Sequence, residues 1–317
     1  MSVFNKTYFR PSTFFLVGIP GLEASHIWIS IPFCIAYITA LLGNSIVLFI
    51  IKTDQALHEP MYILLSMLAF NDIGFSSTIM PKLLGIFWFN SHEINFTACL
   101  SQMFFVHSLS AVASGILAAM AYDRYVAICY PLRYASILTN ILIAKIGLAI
   151  LIRAVIIIMV LPILIQRLHY FKSIVISHSY CEQIAVVKLA YGDTTPNNIY
   201  GLVGSFSIGL FDLMIIAWSY AMVLRAVFKI GSKDGRLKAL STCGAHICAI
   251  LITYVPAFFS FLSHRFGQEN IPPHIHIFLA NTYVLLPTML NPIIYGANTK
   301  QIRDRALRMF HHGTGHA

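Results

Sequence analysis

Residues Ile27–Ile51 read IWISIPFCIAYITALLGNSIVLFII, with no Asp, Glu, Lys or Arg among them. A helix needs about 20 mostly apolar residues to cross the hydrocarbon core of a bilayer, and this run is apolar all round. Six more runs of the same kind follow it: Met61–Phe87, Cys99–Ile128, Ile141–Ile165, Ile199–Phe228, Ala239–Ser263 and His274–Tyr295. Membrane-spanning strands would alternate polar and apolar residues over about 10 positions, and these runs do not. The expected fold is an all-α membrane protein, a bundle of seven transmembrane helices.

Composition points the same way. Of 317 residues, 58% are hydrophobic and 10% charged, with a mean hydropathy of +0.76. A soluble domain carries about 25% charged residues, so this chain cannot cover a water-facing surface. That excludes a disordered chain, a secreted disulfide scaffold and a soluble nucleic-acid binder, despite a formal charge of +9. Topology accounts for the charge. With the N-terminus outside, thirteen of the 21 Lys and Arg residues lie on the cytoplasmic side or its helix ends and six lie outside; Lys82 and Arg153 fall within spans. Basic residues favour the cytoplasmic side, so an outside N-terminus and an inside C-terminus are expected.

Met1–His26 has Lys6, Arg10 and Glu23 scattered through it and lacks the order of a removable signal peptide. The first helix is therefore expected to act as the targeting signal. Asn5-Lys6-Thr7 is a glycosylation sequon on the luminal side, whereas Asn95-Phe96-Thr97 lies too close to the membrane for use. Beyond the last span, Thr299–Phe310 interleaves basic residues with Ile302, Ala306, Leu307, Met309 and Phe310, a spacing suited to a short amphipathic C-terminal helix on the inner leaflet. The chain reads as one unit over 1–317: an extracellular segment 1–26, a bundle 27–295 and a cytoplasmic tail 296–317.

Ionisable groups inside a membrane are costly and face a protein interior or a watery cavity. Asp72, Asp123, Arg124 and Asp212 are such groups, each open to a purely structural reading as well as a functional one. Asp123-Arg124-Tyr125 closes the third span, where adjacent acid and base can neutralise each other while the arginine stays available to a partner.

The string Met120-Ala121-Tyr122-Asp123-Arg124-Tyr125-Val126-Ala127-Ile128-Cys129 resembles the third-helix signature of vertebrate olfactory receptors. Other segments match that family in order: Gly43-Asn44, Pro60-Met61-Tyr62, Pro131-Leu132-Arg133-Tyr134, Ser219-Tyr220, Lys238-Ala239-Leu240-Ser241-Thr242-Cys243 and Asn291-Pro292-Ile293-Ile294-Tyr295. Seven motifs in register identify the chain as similar to a rhodopsin-like G-protein-coupled receptor of the olfactory type. Gly18-Ile19-Pro20-Gly21-Leu22, Tyr254-Val255-Pro256 and His264-Arg265-Phe266-Gly267 look like the class I, or fish-like, branch, which is associated with water-soluble odorants, notably carboxylic acids.

The resemblance implies several roles. Cys99 and Cys181 match the family's disulfide, which an oxidising exterior permits; a second cysteine pair found in relatives is replaced here by Phe171 and Tyr191. Asp123, Arg124, Tyr125, Tyr220, Asn291, Pro292 and Tyr295 match the activation switch, with Pro162, Pro256, Pro287 and Pro292 as bend points. Lys233, Arg236 and Lys238 either line the G-protein opening or only set topology. Asp72 matches an acid that helps hold sodium in many relatives, but Ala113 stands where a glutamate usually assists it, which leaves a weaker ion site or a hydrogen-bonded Asp72. Asp212 replaces a common proline and is read as structural first.

For ligand recognition, His107 and Arg265 match the acid-reading corner of class I receptors, and a guanidinium can grip a carboxylate with two parallel hydrogen bonds. Simpler readings stay open: a hydrogen-bonded buried histidine and an arginine snorkelling to headgroups. Ile158, Leu161, Gln183, Ile184, Gly201, Ser205 and Phe261 match the remainder of the pocket. Gln183 stands for a histidine common in acid-sensing relatives, and Phe261 is bulkier than a serine seen in some. The implied partners are a small odorant, a heterotrimeric stimulatory G protein that raises cyclic AMP, and the lipid bilayer; nucleic acid is not among them. The implied location is the plasma membrane of sensory cilia.

Other classes fit less well. A retinal Schiff base needs a lysine, and His274–Tyr295 has none. Val106 and His107 occupy the region where an aminergic receptor carries an acid. A transporter would show repeated halves, and no repeat is evident. The thirteen histidines form no recognised metal cluster, and no nucleophile has an orienting partner, so neither an enzyme nor a cofactor is expected.

Overall fold

The computed structural model describes residues 11–22, 25–168, 171–266 and 271–313, with 238–239, 241–242, 264–266, 273 and 309–313 described by backbone alone. Asn5 and the segment around it lie outside the described residues. Seven long helices carry the spans: α1 His26–Thr53, α2 Pro60–Phe89, α3 Phe96–Cys129, α4 Asn140–Gln166, α5 Thr195–Phe228, α6 Lys233–Phe266 and α7 Pro273–Asn298. All seven are long and apolar enough to cross a membrane. A further long helix, labelled α8, follows at Lys300–Gly313.

Helix ends follow local chemistry. Thr139 caps α4 by accepting from the Leu142 amide at 3.2 Å, and Asn95 caps α3 by accepting from the Thr97 amide at 2.9 Å; such caps satisfy amides that a helix start leaves unpaired. Pro60 opens α2, where its missing N–H costs nothing. Asn90, with φ 52°, ends α2 in the left-handed region. Pro162, Pro256, Pro287 and Pro292 sit inside continuous helices, as do Pro32 and Pro81. The hydropathy reading began the sixth span at Ala239, whereas α6 starts at Lys233. Apolar runs register membrane depth, and the first polar turns of α6 lie beyond it.

Three short strands, β1 Thr13–Leu16, β2 Glu93–Asn95 and β3 Val175–Ile176, form a sheet in the order β2-β1-β3. The N-terminal strand is thus the central one, pairing Phe14 with Ile94 and Phe15 with Val175. Phe14, Leu16 and Ile19 are fully buried and pack with Cys99, Cys181 and Ile176, so the sheet folds down over the disulfide. These strands are too short and too mixed to show in a hydropathy profile. Phe171, at one of the absent cysteine positions, instead bridges Ala190 and packs its ring on Phe14 and Phe96.

A large core fills the opposite end of the bundle, from Val47 and Leu64 to Tyr295. Helix α8 joins it through Ile302, while Arg305 pairs with Asp54 at 2.7 Å and Tyr62 donates to Gln301 at 2.5 Å. The tail helix is therefore docked on the first and second helices as well as amphipathic.

Helices α1 and α7 meet closely. The Asn44 amide donates to Thr288 O at 2.9 Å, and a Cβ on Gly43 would lie 2.9 Å from Pro292 Cγ. A proline ring has little room to yield. Gly43→Ala is expected to cost about 1–3 kcal/mol by overpacking, read as a lower melting temperature of the detergent-solubilised protein. An unchanged melt would contradict the close approach.

Candidate functional site

Helices α3, α4, α5, α6 and α7, together with the Cys181 loop, enclose a cavity of about 220 Å³ toward the disulfide end. His107, Ile158, Ile184, Ser205 and Phe261, all named from the sequence, line it. An adjoining recess of about 60 Å³ adds Leu161, Gln183 and Gly201. A Cβ on Gly201 would lie 2.9 Å from Gln183 Oε1, so the glycine makes room for that side chain, whose amide donates to Asn197 O at 3.1 Å. Gln183 is held against α5 in this way and is not free to sweep the cavity. Arg265 sits in the last turn of α6, and its side chain lies outside the described residues.

The disulfide positions this roof. Cys99 and Cys181 are bonded with their Cα atoms 5.4 Å apart, and Gln102 accepts from the Cys181 amide at 3.0 Å. The loop then turns into a short helix, Gln183–Leu189, which Glu182 caps by accepting from the Ala185 amide at 2.8 Å. Tyr180 and Glu182 both line the cavity. Burial pushes the Tyr180 phenol well above its ordinary range, which keeps it a donor. The wall toward α7 is made by Tyr283, hydrogen-bonded to Ser110 of α3.

The floor is polar. Ser114 bonds Asp212 Oδ2 at 2.7 Å and Tyr254 Oη at 2.7 Å. Asp212 also takes both ends of the Arg153 guanidinium, Nη1 to Oδ1 at 2.6 Å and Nη2 to Oδ2 at 2.8 Å. One network therefore ties α3, α4, α5 and α6 together beneath the cavity. Gly115 leaves room for it: a Cβ there would lie 2.9 Å from Arg153 Nη2. From the sequence, Asp212 stood out, Arg153 was placed within a span and Tyr254 in a family motif without a role in this network, and Ser114 was passed over. The signal was present, because a basic and an acidic residue in two spans must find each other or stay unpaired in hydrocarbon.

At the tail end, Arg124 grips Asp123 Oδ2 at 2.6 Å, and Tyr134 donates to Asp123 Oδ1 at 2.7 Å. Burial and the Asp123 charge push the Tyr134 phenol upward. Tyr220 and His246 Nδ1 are 2.7 Å apart, joining α5 to α6. Tyr125 packs edge-on to Trp218, Tyr295 is buried in the core, and Pro292 abuts Gly43. Arg236 donates to Ile230 O at 2.7 Å and is exposed, as is Lys233.

Asp72 is buried and accepts from Asn291 Nδ2 at 2.8 Å. A hard cation requires several oxygen ligands; Ala113 brings no second carboxylate to Asp72, while Asn291 Oδ1 is a buried oxygen without a partner among the described residues. Among the described residues, no group of three or more His, Cys, Asp or Glu could hold a metal ion. Cys34, Cys129, Cys243 and Cys248 are free thiols.

Comparison with known proteins settles the family. A family model described as olfactory receptor matches residues 33–313. The chain is 52% identical to olfactory receptor 52N2 of Homo sapiens over 308 residues, covering 97% of this chain and 96% of that one. It is 54% identical to olfactory receptor 52K2 of Homo sapiens over 310 residues, covering 98% of each. In structure it is similar to squid rhodopsin, with a TM-score of 0.72 at 17% identity over 91% of this chain and 81% of that one, a likeness of fold.

Removing one partner of a buried ion pair leaves the other uncompensated, at about 3–5 kcal/mol, whereas an apolar pair of similar volume is often tolerated. Arg153→Met is therefore expected to lower thermal stability sharply, and Arg153→Met combined with Asp212→Leu to regain much of it. Additive losses in a double-mutant cycle of melting curves would contradict the pairing.

Proposed function

The chain belongs to the olfactory receptor family, and from that premise we propose that it binds small aliphatic odorants, carboxylic acids foremost, and activates a stimulatory G protein that raises cyclic AMP. The family consists of signalling receptors of the plasma membrane, not enzymes. The single observation that carries the reading is the cavity, which is mostly apolar in surface, enclosed by five helices and set with polar groups at its roof and floor, as small-ligand sites are. The N-terminal, disulfide-bearing face is taken as extracellular, in line with the distribution of basic residues, and the class I branch is the one its motifs favour.

On this reading His107 and Arg265 receive the acid group, while Ile158, Leu161, Ile184 and Phe261 pack the alkyl chain. Gly201 and Ser205 shape the α5 wall. A ligand shifts the equilibrium only by binding the active arrangement more tightly than the resting one. Tyr254 lines the cavity and belongs to the floor network, so a ligand seated there bears on α6 directly. Release of Arg124 from Asp123 would then open the tail end to a G-protein helix, with Tyr125, Tyr220, Asn291, Pro292 and Tyr295 rearranging around it. Asp72 serves this switch as a hydrogen-bonded carboxylate.

In cells displaying the chain at their surface, straight-chain carboxylic acids are expected to raise cyclic AMP. Loss of a bidentate charged contact costs several kcal/mol, so Arg265→Ala should weaken acid potency at least about tenfold, and His107→Ala less. Equal responses of parent and Arg265→Ala, with equal surface staining, would remove the arginine anchor.

A further inference from the structure

The cavity contains a charge that the acid-reading corner does not account for. Glu182 is only 9% exposed, lines both the main cavity and its recess, and uses one oxygen, Oε2, to cap the short helix that follows it. Its other oxygen, Oε1, makes no hydrogen bond among the described residues. No lysine or arginine stands among the described residues lining either space. The titratable groups that feel the Glu182 charge are His107 from α3, Tyr180 from its own loop and the exposed Lys188, nearly two turns along the helix that Glu182 caps. Tyr283 of α7 and Tyr254 of α6 in the cavity, and Tyr200 of α5 in the recess, where it donates to Ile157 O at 2.9 Å, complete the titratable lining among the described residues.

A buried carboxylate with a spare oxygen is an acceptor, and the single guanidinium of the reading above, Arg265, balances only one of two carboxylates in a small apolar cavity. Two carboxyl groups in one site hold a single proton between them, because both cannot ionise together. We propose that Glu182 is the ligand's hydrogen-bond acceptor, and that an odorant is held by a group carrying a proton: an alcohol hydroxyl, or a carboxyl group that shares one proton with Glu182. For an acid the balance is explicit. The anion in solution and one proton from water enter together, the proton lies between a ligand oxygen and Glu182 Oε1, and the pair keeps one negative charge facing His107. The acid half of this inference rests on the carboxylic-acid reading above, and the hydroxyl half does not.

The test uses the full-length receptor in cells, with cyclic AMP dose–response curves for straight-chain acids from butanoic to nonanoic, the matching primary alcohols and the methyl esters of the acids. External pH is varied between about 6.5 and 8, well above the ordinary carboxyl range. Uptake of one proton makes the half-maximal acid concentration rise about tenfold per pH unit, while the alcohols stay flat. Methyl esters, which carry no donor, are expected to be at least about tenfold weaker than the alcohols. Glu182→Gln supplies an amide donor to the bare anion and should flatten the acid slope; Glu182→Met should close the gap between alcohol and ester.

A flat acid curve in the parent overturns the shared proton. So does a slope kept in Glu182→Gln and lost in His107→Gln, which would assign the titration to the histidine. Silent acids with active alcohols would sink the acid reading alone, and the alcohol–ester gap would then decide for or against Glu182. The parent's slope and gap need no variant to fold, and silence toward the whole panel with good surface staining counts against both readings.

Discussion

Hydrocarbon offers no hydrogen bonds, and that constraint orders this molecule. Each polar side chain placed at membrane depth must find its partner inside the bundle or at its ends. The Arg153–Asp212 pair is the clearest result, two formal charges joined by two short contacts and satisfied further by Ser114. Asp72 turns to Asn291, Asn44 to the backbone of α7, and Lys82 reaches back to Ser91 O and Glu93 O at the membrane surface. Since the helices have little apolar preference for one another over lipid, these contacts and the close glycine packings select which faces meet.

The same contacts give the bundle two polar layers, besides the Asp72–Asn291 pair of α2 and α7. The upper layer, Ser114, Tyr254, Asp212 and Arg153, lies under the cavity. The lower layer holds Asp123, Arg124, Tyr134, Tyr220 and His246. Helix α6 contributes Tyr254 to the first and His246 to the second, with Pro256 two residues from Tyr254. On the proposed function, a ligand that alters the Tyr254 contact acts on a helix already able to bend there, and the lower layer feels the change through His246. Polar networks in a low dielectric are costly when partly broken, which favours two discrete arrangements over a continuum.

Much of this was legible in the sequence, and the limits have physical causes. Hydropathy found all seven spans because membrane depth demands apolar length. The Cys99–Cys181 bond followed from the family's pattern, and the pocket-lining residues from His107 to Phe261 also came from matched positions; the structure gathers them around one cavity and its recess. The N-terminal strand was invisible, since Thr13–Leu16 gains its order from two loops remote in sequence. Arg153 was placed within a span but given no partner, because a charge on one helix does not by itself name the neighbour it faces. Glu182 was missed for a related reason: beside a cysteine in a loop it reads as an ordinary surface acid, and only the fold of that loop turns it inward.

On the proposed function, occupancy of the cavity opens the tail end by moving that end of α6 away from α3. Leu132, fully exposed in the loop after α3, and Leu237, 67% exposed near the start of α6, can each carry a spin label without touching the core. The distance distribution between them, measured by pulsed electron resonance on the purified receptor with and without the most potent ligand, reads that movement. A new population at longer distance is expected, growing with ligand concentration and absent when Tyr254 is replaced by leucine. A single distribution unchanged at saturating ligand would contradict it.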